Sequence, residues 1–82
     1  MKMNFTVYSK DGCPYCNKIV QFLEQANLSH VVYKLNDHFT KEQFYHQFGE
    51  GSTFPQVLLN DQLLGGCADT IAHLLNEGYV KI

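Results

Sequence analysis

The sequence predicts an α/β fold in the order β-α-β-α-β-β-α, a four-stranded mixed sheet with helices on both faces. Three observations carry that expectation. A strand, a glycine turn, a helical run and a second strand follow one another between Asn4 and Leu35, the order of a parallel βαβ unit with a right-handed crossover. Two short apolar runs flank Asn60-Asp61, a two-residue turn signal for a tight antiparallel hairpin. Apolar residues recur at helical spacing in two further segments.

Each element has its own local reason. Asn4–Ser9, "NFTVYS", is rich in β-branched and aromatic residues and reads as a strand. The turn "KDG" follows, and then Cys13. Pro14 fits the first turn of a helix, where its missing N–H costs nothing. Cys16, Ile19, Val20, Leu23 and Ala26 follow helical spacing, and the helix fades at "ANLSH". His30–Leu35, "HVVYKL", is the second strand. Thr40 with Gln43 three residues on forms a capping-box pattern, opening a short helix with Phe44, Tyr45 and Phe48 on its apolar side. Gln56–Leu59 and Gln62–Leu64 form the hairpin. The last helix is expected at about Asp69–Asn76, with Ile71, Leu74 and Leu75 inward and Gly78 as its stop.

Bulk properties narrow the function. The 82 residues suffice for one domain with a modest core. Net charge is −2 and arginine is absent, which argues against a nucleic-acid binder that must neutralise phosphates. No apolar run is long enough for a transmembrane helix or a signal peptide. The expectation is a cytoplasmic protein in a reducing compartment, with no membrane partner. Three cysteines are too few for a disulfide scaffold, and a close pair in such a compartment points to catalysis or metal binding.

The pair is Cys13 and Cys16, in "SKDGCPYCNKI". As a redox pair it is unequal. Cys13 lies at a helix start, where free backbone N–H groups and the helix dipole favour a thiolate. Lys10 adds a positive charge. Cys16, one turn inside, can close a disulfide but lacks the terminal N–H cluster. A closed zinc site would need four ligands; Cys67 and His73 are the remaining candidates, and they do not form a second close pair. A third alternative is simple core packing. His30, His38 and His46 are scattered and add no ligand pattern.

Two distant segments carry further marks. Thr53–Pro55, "TFP", opens the third strand, where a proline needs an edge, a first-strand position or a bulge; either peptide isomer is open there. Gly65–Asp69, "GGCAD", joins the fourth strand to the last helix. Asp69 could cap that helix or accept from a ligand amine while neighbouring N–H groups hold a carboxylate. Cys67 alone reads as a small buried residue.

Taken together, "CPYC", "TFPQ" and "GGCAD" in this order resemble the glutaredoxins of the dithiol type, over nearly the whole chain. The resemblance implies the thioredoxin-like fold and glutathione-dependent thiol–disulfide exchange. It implies Cys13 as nucleophile and Cys16 as resolving thiol. Lys10 would pair with the glycine carboxylate of glutathione, and Tyr15 would flank the sulfur. Thr53 and the Phe54 backbone would hold the cysteinyl part, beside a cis Pro55. Cys67, Ala68 and Asp69 would hold the γ-glutamyl end. Partners would be glutathione as co-substrate and disulfide-bearing or glutathionylated proteins, with ribonucleotide reductase a candidate client. A monomer without metal is expected. The chain departs from the family at Phe54, which stands where a small β-branched residue is usual. It also lacks an arginine near the second helix, where Lys41, Gln43 or Gln47 could serve. Two rivals stand beside this reading. One is a small redoxin recycled by a flavoprotein reductase, against which Lys10, "GGCAD" and the absence of tryptophan argue. The other is an iron–sulfur carrier binding a cluster through Cys13 and glutathione, which Pro14 disfavours.

Overall fold

The computed structural model describes residues 4–78. Its elements run β1 (Phe5–Ser9), α1 (Pro14–Gln25), β2 (His30–Lys34), α2 (Lys41–Phe48), β3 (Gln56–Leu59), β4 (Gln62–Gly65) and α3 (Cys67–Asn76). The strands form one sheet in the order β2-β1-β3-β4. β1 pairs parallel with β2, and both the β1–β3 and β3–β4 pairings are antiparallel. This is the mixed α/β sheet that the sequence predicts.

The two faces of β1 belong to different cores, because side chains alternate along a strand. Phe5 and Val7 point to one face, where they join Ile19 and Leu23 of α1, Val57 of β3, and Cys67 and Leu74 of α3. Tyr8 points to the other, where its ring lies 5.1 Å from Phe39 and 5.0 Å from Phe48. Phe44 of α2 is 1% exposed and stacks or tilts against Phe39, Phe48 and Phe54. One face is mainly aliphatic and held by α1 and α3; the other is aromatic and held by α2.

The ends of the elements follow their local chemistry. Pro14 occupies the first turn of α1. The Thr40–Gln43 capping box is complete: Gln43 N–H donates to Thr40 Oγ1 at 3.1 Å, and Thr40 N–H donates to Gln43 Oε1 at 2.8 Å. Asn60-Asp61 connects the hairpin strands, with Leu59 opposite Gln62, and Asn60 takes φ 56°, a region that asparagine tolerates. Gly78 takes φ 75° directly after α3, as a helix stop requires.

Two boundaries differ from the sequence reading. The register shifts between Val57 and Leu58, so that Gly65 faces Val57 while Leu63 faces Leu58. Leu64 is the extra residue of a bulge, and pairing extends one residue further, to Gly65. α3 begins at Cys67 rather than Asp69, because extended Gly66 is its N-cap. Its carbonyl accepts from Thr70 N–H at 3.0 Å and from Thr70 Oγ1 at 2.7 Å. Asp69 is therefore not the cap but a residue of the first turn.

Phe44→Ala should cost about 3–5 kcal/mol, the usual loss for a buried aromatic, against a total of about 4–12 kcal/mol for a chain of this length. Thr40→Ala should cost about 1 kcal/mol through the cap alone. Urea denaturation followed by far-UV circular dichroism measures both. Equal losses would show that the aromatic face is not the stronger support of α2.

Candidate functional site

The sheet topology gathers the marked segments at one end. β1 ends at Ser9, and Tyr8 pairs with Gln56 at the start of antiparallel β3. β4 runs back parallel to β1 and ends at Gly65. The chain leaving β1, the chain entering β3 and the chain leaving β4 are thus neighbours. They carry Lys10–Cys13, Thr53–Pro55 and Gly65–Asp69 respectively.

Cys13 is the N-cap of α1, in extended conformation, and is bonded to Cys16 as a disulfide with Cα atoms 5.2 Å apart. Cys13 Sγ also accepts from Cys16 N–H at 3.2 Å. That N–H is one of the helix-terminal donors with no intrahelical acceptor, and Pro14 contributes none. Gly12, at φ 72°, turns the chain into this cap. Cys13 retains 7% of its surface and Cys16 only 2%. The two sulfurs are therefore unequal in both electrostatics and access. Ser9 Oγ donates to Tyr33 carbonyl oxygen at 3.1 Å, and Lys34 pairs with Asp11 at 3.2 Å, tying the approach to Cys13 onto β2. Both partners of that ion pair are largely exposed, so it adds at most about 1 kcal/mol.

A groove of about 360 Å³ runs beside the N-termini of α1 and α3. Tyr15, Thr53, Phe54, Pro55, Cys67, Ala68 and Asp69 all line it. The Phe54–Pro55 peptide bond is cis. Neither sulfur of the disulfide forms part of the groove wall; Cys16 lines a separate cleft with Ser9, Gly12 and Val20. Lys10 lines that cleft rather than the groove, and its Nζ lies 5.3 Å from the centre of the Phe54 ring.

The "GGCAD" turn is built for close approach. Gly65 takes φ 112°, and a Cβ there would lie 2.7 Å from Asp69 Oδ2, so only glycine lets that carboxylate fold back over the turn. With Gly66 as N-cap, the N–H groups of Cys67, Ala68 and Asp69 lie in the first turn of α3 without intrahelical acceptors. Acceptor-seeking N–H groups and an acidic side chain thus sit together, a combination suited to a zwitterionic ligand end.

Lys18 also lines this groove, and the sequence reading missed it. It lies three residues after Tyr15, so helical spacing places both on one side of α1; that spacing was the available signal. Burial pushes the Cys67 thiol above its ordinary value, and the charge of Lys18 opposes the shift. Among the described residues, no three His, Cys, Asp or Glu side chains gather into a metal-binding group, and no helix is long and apolar enough to cross a membrane.

Comparison with known proteins places this arrangement among relatives. A glutaredoxin family model matches residues 5–64. Glutaredoxin-C6 of Oryza sativa is 33% identical over 75 residues, which cover 88% of this chain and 66% of that protein. The crystal structure of glutaredoxin 1 from Francisella tularensis, complexed with cacodylate, superposes with TM-score 0.79 at 25% identity, covering 95% of this chain and 99% of the other. A buckwheat glutaredoxin–glutathione complex superposes with TM-score 0.74 at 20% identity, covering 94% and 72% of the two chains. At that identity the likeness shows the fold alone.

The Cys67 shift has a measurable sign. A raised value keeps the thiol protonated, so alkylation of Cys67 in the oxidised protein should be slow at neutral pH and rise with a midpoint above the ordinary 9.0. Lys18→Ala removes the opposing charge and should move that midpoint higher still. Iodoacetamide labelling rates followed by mass spectrometry across pH would show it. A midpoint below 9.0 would mean that burial does not govern this thiol.

Proposed function

As the chain belongs to the glutaredoxin family of thiol–disulfide oxidoreductases, we propose that it performs glutathione-dependent exchange, reducing glutathione mixed disulfides and protein disulfides. The observation that carries this is the groove. Ten residues from three separate segments line it beside the helix end that Cys13 caps.

Cys13 is the nucleophile. At the helix end its thiolate is stabilised by the N–H of Cys16 and by the helix dipole. On a glutathionylated protein, the Cys13 thiolate attacks the glutathione sulfur and the protein thiol leaves. Free glutathione then attacks the Cys13–glutathione disulfide, releasing oxidised glutathione and restoring Cys13. On a protein disulfide, Cys13 forms a mixed disulfide and Cys16 displaces it, leaving the Cys13–Cys16 bond. The rate follows thiolate fraction, intrinsic nucleophilicity and leaving group together.

The groove holds glutathione along its length. Thr53 and the Phe54 backbone pair with the cysteinyl part beside Pro55, and Tyr15 flanks the sulfur. Asp69 accepts from the γ-glutamyl amine, while the first-turn N–H groups of Cys67 and Ala68 donate to its carboxylate. Lys18 adds a cation to that end. Lys10 faces the glycine carboxylate. The solved glutathione complex of the buckwheat protein, which shares the fold, supports glutathione as the ligand. The clients are disulfide-bearing or glutathionylated proteins of a reducing cytosol, with ribonucleotide reductase a candidate, and the protein acts as a monomer without metal.

Three substitutions test the division of labour. Cys13→Ser should abolish reduction of a glutathione mixed disulfide; retained turnover would sink the assignment. Cys16→Ser should spare that reaction and impair reduction of a protein disulfide, and equal loss in both assays would contradict its resolving role. Asp69→Ala should raise KM for glutathione about two- to fivefold, as expected for one exposed ionic contact. An unchanged KM would remove Asp69 from the site. The deciding experiment offers the protein glutathione with its reductase against a thioredoxin-type reductase. Turnover only with the latter would favour the other class of redoxin.

A further inference from the structure

Phe54 does more than supply backbone to the groove. Its ring stacks on Phe44 at 4.1 Å and 9° and lies 6.2 Å from Phe39 at 18°. The Nζ of Lys10 stands 5.3 Å from the ring centre, within the range of a cation–π contact. Phe54 is thus a plate, packed at one side by α2 and carrying a cation.

The plate also divides space. Thr53 and Phe54 line the groove described above and a second pocket of about 340 Å³, which Lys10, Leu35, Lys41, Tyr45 and Ser52 complete. Lys41 repeats the arrangement, with Nζ 5.8 Å from the centre of the Tyr45 ring. Two lysines therefore line one pocket, each with its ammonium group over an aromatic ring. No acidic residue is among the described residues that line it, and among the described residues neither lysine has a salt-bridge partner. A ring face orders a lysine without neutralising it, so its charge stays available to an anion.

We propose that the Phe54 side chain is a positioning residue that sets the site's demand for a free carboxylate at the glycine end of glutathione, by holding Lys10 over this second pocket. The inference rests on the glutathione reading above and adds the device that selects one end of that ligand. A small β-branched residue at position 54 would leave the Lys10 side chain without its platform.

The test uses one fluorescent peptide carrying a glutathione adduct, made either with the free glycine carboxylate or with its ethyl ester. Reduced protein in excess releases the peptide in a single turnover, and the half-saturating protein concentration is read for each adduct. The parent protein should favour the free acid by about two- to tenfold, the worth of one or two exposed ionic contacts. Phe54→Tyr keeps the ring and should keep that ratio. Phe54→Leu keeps apolar bulk against Phe44 but has no ring face, and should shrink the ratio about two- to fivefold, whatever its effect on release of the ester adduct itself. In a Lys10→Gln background, Phe54→Leu should change the ratio no further, since the two act as one unit. A merely structural role for Phe54 would shift both adducts alike in either background.

Equal preference for acid and ester in the parent would overturn the inference. So would a full ratio in Phe54→Leu, or an undiminished Phe54→Leu effect in the Lys10→Gln background. Failure to release peptide from either adduct would sink the glutathione reading itself, and this inference with it.

Discussion

The antiparallel pairing of β1 with β3 is the constraint on which the rest depends. It places Tyr8 opposite Gln56 and Phe5 opposite Leu59. The end of β1 and the start of β3 therefore meet at one end of the sheet. Without that register, Cys13 and Pro55 would be separate features of a long chain. With β4 returning antiparallel to β3, the "GGCAD" turn is delivered to the same end. A slip of one residue would flip either Val7 or Val57 out of the core. Both are fully buried, so the hydrophobic cost of a slip fixes the geometry of the site.

The two faces of the sheet contribute unequally to that site. The aliphatic face sets the helices: Ile19 and Leu23 seat α1, and Leu74 seats α3, so that both helix N-termini open beside one groove. The aromatic face sets the Thr53–Pro55 segment, because Phe54 stacks on Phe44. Phe44 is itself one of the least exposed residues. The segment flanking the proline is therefore anchored to the interior of the fold, although Thr53 is exposed.

Helix ends supply the polarity. α1 offers the N–H of Cys16 to Cys13, and α3 has its own first-turn N–H groups beside Asp69. These donors exist because the first turn of any helix has no partners for them. The fold turns an unavoidable deficit of two helices into unpaired donors whose polarity suits anions. Lysines 10, 18 and 41 stand around the same region, supplying positive charge in a chain whose net charge is −2.

Much of this was legible in the sequence. Strand-forming composition, turn signals and helical periodicity placed all seven elements. Pro14, the Thr40–Gln43 box, Asn60-Asp61 and Gly78 marked ends through purely local chemistry. The unequal roles expected of Cys13 and Cys16 followed from where a helix starts. What only the tertiary structure decided depends on contacts between residues far apart in the chain. The bulge at Leu64 extended β4, and Gly66 rather than Asp69 capped α3, because an extended glycine needs no side chain to do so. Lys18 entered the groove through the packing of α1 against α3. Phe54 read only as a departure from a family pattern until Phe44 and Lys10 were found on its ring. Local patterns determine which elements form and where they end; which side chains then share a pocket is set by register and packing, and those are properties of the folded whole.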